Sequence, residues 1–213
     1  MSYNWQKPVL DGLRNKKLIL SFTGTIQKMP GRPLEGQLDD IEHIKRMFVG
    51  SNWAGRHFDG TAWFREVKVS NRTDWHPHIN FVFVPKAAVE RDEAVGLGQR
   101  VLDRWSEKAD LAGAMSVQTQ NAEDLVLEGQ SAIRAIVRYA SKTPAWDHSG
   151  LKASQSWTYA DLLNHALAGH QLGVPDALWA LDCMHEIESA TTRRPGRPSP
   201  WCGRSGVLTK RKK

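Results

Sequence analysis

The chain has 213 residues, 40% of them hydrophobic, which is enough for one domain with a sizeable core and argues against disorder across its body. Two cysteines, Cys183 and Cys202, are too few for a disulfide framework and read as reduced thiols. The net charge of +6 is concentrated at one end: Arg193 to Lys213 carries eight Lys or Arg and no Asp or Glu, leaving 21 basic against 23 acidic residues elsewhere. No apolar run approaches a membrane span and the start of the chain has no signal-peptide layout, so the expectation is a soluble, cytoplasmic protein away from membranes. A basic tail on a near-neutral body suits a polyanion, and suits solubility alone equally well.

From the N-terminus, Leu18 to Ile26 alternates apolar and polar residues, with Ser21, Thr23 and Thr25 on one side. This is the pattern of a half-buried strand with a hydroxyl-lined outer face. Met29 to Pro33 reads as a loop, and Leu38, Ile41, Ile44 and Phe48 recur at helical spacing. Residues 52–60 look irregular. Trp63 to Val69 and Trp75 to Val84 then form two apolar-alternating runs around the polar cluster Ser70 to Asp74, a hairpin pattern.

The second run opens Trp75-His76-Pro77-His78-Ile79. Two histidines one residue apart on a strand share a face, while Trp75, Ile79, Phe81 and Phe83 point to the other. A turn centred on Arg72 sets residue 66 opposite 78, which brings Glu66 and Lys68 onto the histidine face. Two imidazoles and a carboxylate with open positions are a catalytic rather than a structural metal pattern. A one-residue slip of register would move Glu66 to the core face and break it.

A helix is predicted over 87–108, with Val95, Val101, Leu102 and Trp105 buried, and a fourth strand over 114–120. A second helix spans 129–142 with the stripe Ile133, Ile136, Val137 and Ala140, closed by Pro144. That helix carries Tyr139 and Lys142 on neighbouring positions, beside a basic row of Arg134, Arg138 and Lys142. Cations around a phenol favour its anionic form and would hold a phosphate next to it. The same pattern also suits a tyrosine at the core boundary beside a solvated basic face. Beyond a polar connection at 145–155, Thr158-x-x-Asp161 reads as a capping signal before Leu162, Leu163, Ala166 and Leu167. A last helix from Asp176 would bury Leu178, Leu181, Met184 and Ile187. The order of elements predicts an α+β fold, a central antiparallel sheet backed by helices in a split-βαβ arrangement.

Taken together, these motifs resemble the rolling-circle plasmid replication initiators of the HUH endonuclease superfamily, in the group with a single catalytic tyrosine. The resemblance lies in Leu18 to Ile26, in Glu66 with His76-Pro77-His78, and in Tyr139-Ala140-Ser141-Lys142, all in the family's order. It covers most of residues 15–145, and Trp201 to Leu208 is similar to the family's C-terminal pattern. It implies an HUH endonuclease domain over 1–145, a packed helical extension over 146–192 and a basic tail over 193–213. It also implies that Glu66, His76 and His78 hold Mg²⁺ or Mn²⁺ and that Tyr139 attacks a phosphate of single-stranded or hairpin origin DNA. Lys142 would assist by charge, with Thr23, Thr25, Arg134 and Arg138 along the DNA. Host helicase and polymerase would complete replication, since the chain has no Gly-x-x-x-x-Gly-Lys motif. The chain departs from many relatives at Ala135, where a glutamate is common, and at Asn80, where a third histidine is common. A compact relaxase or transposase would share the same residues. A non-catalytic nucleic-acid-binding protein is the alternative from another class, and a structural zinc protein is disfavoured because neither cysteine has ligand spacing.

Overall fold

In the computed structural model, the described residues are 9, 11–27, 31–50, 52–70, 75–86, 88–117, 119–140, 156–158, 161–163, 166–167, 176–191, 202–204 and 208. The side chains at 70, 136–140, 156–158, 176–177, 191 and 202–204 are not among those described. The elements run β1 (Leu18–Thr25), α1 (Leu34–Val49), α2 (Asn52–His57), β2 (Phe58–Ser70), β3 (Trp75–Pro85) and α3 (Arg91–Leu111). They continue through β4 (Val126–Glu128), α4 (Gly129–Ala140), β5 (Ser156–Thr158), α5 (Asp176–Thr191) and β6 (Cys202–Arg204). The fold is α+β, with a six-stranded antiparallel sheet in the order β4-β1-β3-β2-β5. The strand β6 joins the same outer edge of β2 as β5, three residues of each on different stretches of that edge.

The long central hairpin sets the frame. Its apolar run becomes buried on both faces from Ile79 onward, as expected where helices cover a sheet from two sides. On one face, Phe22, Phe81 and Phe83 pack against Phe48 of α1 and Trp105 of α3. The ring centroids of Phe48 lie 5.1 Å from Phe81 and 5.4 Å from Trp105, edge to face. Both helices present apolar residues three and four apart, and both carry acids in the first turn and a base in the last, which complements the helix dipole. On the opposite face, Ile19, Ala62, Phe64, Val82 and Val84 are covered by Val9, Leu13, Ile133 of α4 and Leu208. A third cluster joins Val67, Val69 and Trp75 to Leu34 and Leu38 of α1, to Leu162 and Ala166, and to Ala180, Cys183 and Ile187 of α5. The expected helical extension is therefore built into the sheet domain.

Two of the positions where glycine is required lie at the start of α4 and on β1. Gly129 has φ 79° where the chain leaves β4 and enters α4, and its N–H is anchored on the Lys17 carbonyl at 2.9 Å. At Gly24 an added Cβ would sit 2.7 Å from the Trp105 ring. Replacing Gly24 with Ala drives a methyl into a fully buried indole, so the urea unfolding midpoint should fall by the equivalent of about 1–3 kcal/mol. An unchanged midpoint would mean that Trp105 moves freely, contrary to its packing.

Several sequence expectations are corrected. Among the described residues of 114–120 no strand forms: one isolated bridge joins Ile26 to Ser116, and Met115 and Val117 are 63% and 39% exposed. The fourth strand is instead Val126–Glu128, whose three residues were too few to show a period. The stretch 52–60, expected to be irregular, holds α2 and the start of β2. Thr158 ends a short strand opposite Lys68, and the capping contact expected of its side chain lies outside the described residues. On α5 the buried face is Ala180, Cys183 and Ile187, whereas Leu178 and Leu181 are 69% and 51% exposed. Ala180 and Cys183, with Ile187, pack against Leu34 and Leu38 of α1 in this cluster. Val95 is only half-buried, its place in the core taken by Ala94 and Leu97. The basic segment after 193 is not free throughout, since Cys202–Arg204 pairs with Ala62–Phe64 and Leu208 is fully buried. Among the described residues, no helix is long and apolar enough to cross a membrane.

Candidate functional site

Directly opposed residues of antiparallel strands lie on one face of the sheet. The hairpin pairs Glu66 with His78 and Lys68 with His76, the register expected for a turn centred on Arg72. Across the other edge of β3, Thr25 is opposite His78 and Thr23 is opposite Asn80. Thr23, Thr25, Glu66, Lys68, His76, His78 and Asn80 thus share one face. They lie further along it than the part packed against Ile133 of α4 and Leu208.

The chemistry of this part of the face is set by its packing. His78 Nδ1 is hydrogen-bonded to Thr25 Oγ1 at 3.1 Å, which fixes the ring and leaves Nε2 as the nitrogen for a ligand. The Thr25 carbonyl in turn accepts from Trp105 Nε1 at 3.2 Å on the other side of the sheet. The His76 and His78 rings are nearly parallel, 10° apart, with centroids separated by 6.4 Å. Burial, with Lys68 and His76 nearby, lowers His78 to about 4, so its imidazole is neutral at pH 7 and able to act as a ligand. Lys68 Nζ lies 4.0 Å from Glu66 Oε2, and the Glu66 side chain is 21% exposed. Thr23 Oγ1 donates to Asn80 Oδ1 at 2.8 Å, and the Thr23 amide donates to Gln120 Oε1 at 2.8 Å. The hydroxyls expected to meet DNA are therefore used within the sheet, holding His78 and Asn80.

The donor set suits a divalent ion: two imidazoles and a carboxylate on one strand pair. Among the described residues, however, no three His, Cys, Asp or Glu side chains converge as a ligand group. Gathering an ion would take side-chain rotation, with the backbone register already in place. Asn80, which stands where a third histidine is common in the resembling family, is 7% exposed, and its Nδ2 has no hydrogen-bond partner among the described residues.

The helix α4 is anchored on the histidine face, because its Ile133 packs among Ile19, Ala62, Phe64, Val82 and Val84. Tyr139 stands six residues further along that helix, about 9 Å of axial rise from the anchor. Arg134 and Ala135 are exposed. Arg138 belongs to the same helix, and Lys142 lies outside the described residues.

A comparison with protein-family models, curated proteins and solved structures gave no match. Sequence reasoning missed two supports of the site: Trp105 behind Thr25 and Gln120 on the Thr23 amide. Both act across long sequence separations, so no local spacing announces them.

The lowered value at His78 has a consequence for stability. In the unfolded chain the ring takes its proton near pH 6.5, and in the folded chain only near pH 4. The contribution is complete above pH 6.5 and is lost as pH falls towards 4. Allowing for partial solvent screening, the loss is about 2 kcal/mol. Urea titrations of the metal-free protein at pH 7 and pH 4.5 should show this drop, and His78→Gln should lack that share of it. Equal pH dependence in both proteins would refute the assignment.

Proposed function

We propose that this chain is a metal-dependent, tyrosine-nucleophile DNA nicking and strand-transfer enzyme that initiates rolling-circle replication of a plasmid. The observation that carries the reading is the strand register: Glu66 opposite His78, with His76 and His78 on the face where α4 is anchored. The motif resemblance adds the order of Glu66, the histidine pair and Tyr139-x-x-Lys142.

In this reading His76 and His78, with Glu66, would hold Mg²⁺ or Mn²⁺, which would supply Lewis-acid stabilisation of charge on the scissile phosphate. The Tyr139 oxygen attacks phosphorus and gives up its proton. The bond from phosphorus to the 3′ oxygen breaks, leaving a 5′-phosphotyrosine and a free 3′-OH that primes synthesis. Lys142 stabilises the charge that builds on the phosphoryl oxygens, and Arg134 and Arg138 hold adjacent phosphates. One phosphodiester is exchanged for another, so the link is close to isoenergetic and rejoining is expected. Host helicase and polymerase supply unwinding and synthesis.

The test uses a randomised single-stranded DNA library labelled at the 3′ end, incubated with the full chain and Mn²⁺. The label should migrate with the protein in a denaturing gel, and EDTA or the double change His76→Ala, His78→Ala should remove it. The same double variant should lose the rise in melting temperature that Mn²⁺ gives the wild type, since an ion bound only to the folded state stabilises it. A label that never joins the wild-type protein would end the nicking reading.

A further inference from the structure

On the other side of the sheet, the end of β3 and the short helix α2 gather cations that the proposed reaction does not use. Arg56, Lys86 and Arg100 are all exposed. None of them has a carboxylate within salt-bridge distance among the described residues. Lys86 is tied to α2 by its own ammonium, which donates to the Gly55 carbonyl at 3.2 Å, and by its amide, which donates to the His57 carbonyl at 3.0 Å. Arg104 is bound into the fold, donating to the Phe48 and Met47 carbonyls at the end of α1, with its guanidinium 4.9 Å from the Trp53 ring centroid. The rings of Trp53 and His57 lie 5.3 Å apart. Of the nearby acids, Asp59 faces Lys16 and Asp103 accepts from Gln99. Burial, then Arg100 and Arg56, lower the pKa of His57, as expected where positive potential is uncompensated.

We infer that Arg56, Lys86 and Arg100, ordered around His57 and the Arg104-Trp53 stack, form a second nucleic-acid surface that binds the phosphate backbone. The inference takes the identity of its ligand from the proposed function. Recognition is by charge rather than by base, because Arg104, His57 and the core take up the faces of Trp53. The patch and the histidines lie on opposite sides of the sheet, and Lys86 is eight residues beyond His78 along the strand. That is roughly 25 Å of extended chain, the length of about seven or eight base steps. A short oligonucleotide seated at the histidines cannot reach the patch, whereas a longer nucleic acid wrapping the sheet edge can. The surface would therefore hold flanking DNA while the reacting strand is held on the other face.

The test is the variant Arg56→Gln, Lys86→Gln, Arg100→Gln in the full chain, which changes only exposed side chains. Binding of a long labelled duplex and a long labelled single strand is followed by fluorescence anisotropy over a range of KCl concentrations. Removing three phosphate contacts should lower the slope of log K against log salt by about 2 to 3 on duplex. Arg56→Lys with Arg100→Lys should keep it. Adduct formation on a short oligonucleotide should be unaltered. An unchanged salt slope with an unchanged melting temperature would overturn the patch, even if wild-type adducts form. A reduced slope in a protein that forms no adduct would uphold the patch and remove the nicking reading.

Discussion

Changing Tyr139 to Phe should abolish the covalent protein–DNA complex while leaving the melting temperature and DNA affinity close to wild type. The substitution removes a single oxygen from a residue of α4. If that oxygen is the nucleophile, its loss lowers the rate by about 10⁴-fold or more, since no neighbouring group replaces it. The alternatives in the sequence are poor. Tyr3 lies in the lead before β1, and Tyr159 directly follows the short strand β5. Lys142→Ala should slow the reaction by about 10- to 10³-fold without stopping it, as for a charge that stabilises the transition state. The readout is the labelled strand retained in a denaturing gel with Mn²⁺. A Tyr139→Phe protein that still captures the strand would transfer the nucleophile to another residue and undo the role given to α4.

How much of this was legible in the sequence depends on the range of each interaction. The hairpin register was readable because period-two alternation and a polar turn restrict the pairing, and a one-residue slip would bury Glu66 and expose Val67. The face shared by Glu66, His76 and His78 followed from that register alone. The helices α1 and α4 were readable because their apolar residues recur at helical spacing. The stretch 114–120 misleads because Met115 and Val117 alternate with polar residues, yet its described residues meet β1 through one isolated bridge, Ile26 to Ser116, and the Gln120 side chain on the Thr23 amide. On α5 size misled: Leu178 and Leu181 are the larger apolar residues, but Ala180 and Cys183 pack against Leu34 and Leu38 of α1. The hydroxyls of Thr23 and Thr25 were legible as a polar face, yet their partners on β3 depend on a pairing 50 or more residues away in sequence. Charge misled at the C-terminus, where a basic composition concealed one buried leucine.

That leucine yields a sharp expectation. Leu208 is fully buried among Val9, Leu13, Ile19, Ala62, Phe64, Val82, Val84 and Ile133. The same cluster holds α4 on the histidine face, so Leu208 bears on the site as well as on stability. Leu208→Ala leaves a cavity in a core closed on all sides and should cost about 2–5 kcal/mol. Removing residues 202–213 also strips β6 from Ala62–Phe64 and uncovers their edge, a loss that rivals the whole stability of a domain, about 5–15 kcal/mol. Removing only residues 210–213 deletes four basic residues and should leave the unfolding midpoint within about 0.5 kcal/mol of wild type. Urea unfolding of the three proteins separates packing from charge. If the segment worked only by its charge, the short truncation would do most of the damage and Leu208→Ala almost none. If it works by packing, the order reverses, and Leu208→Ala should also depress adduct formation near its own melting temperature, where α4 loosens from the sheet.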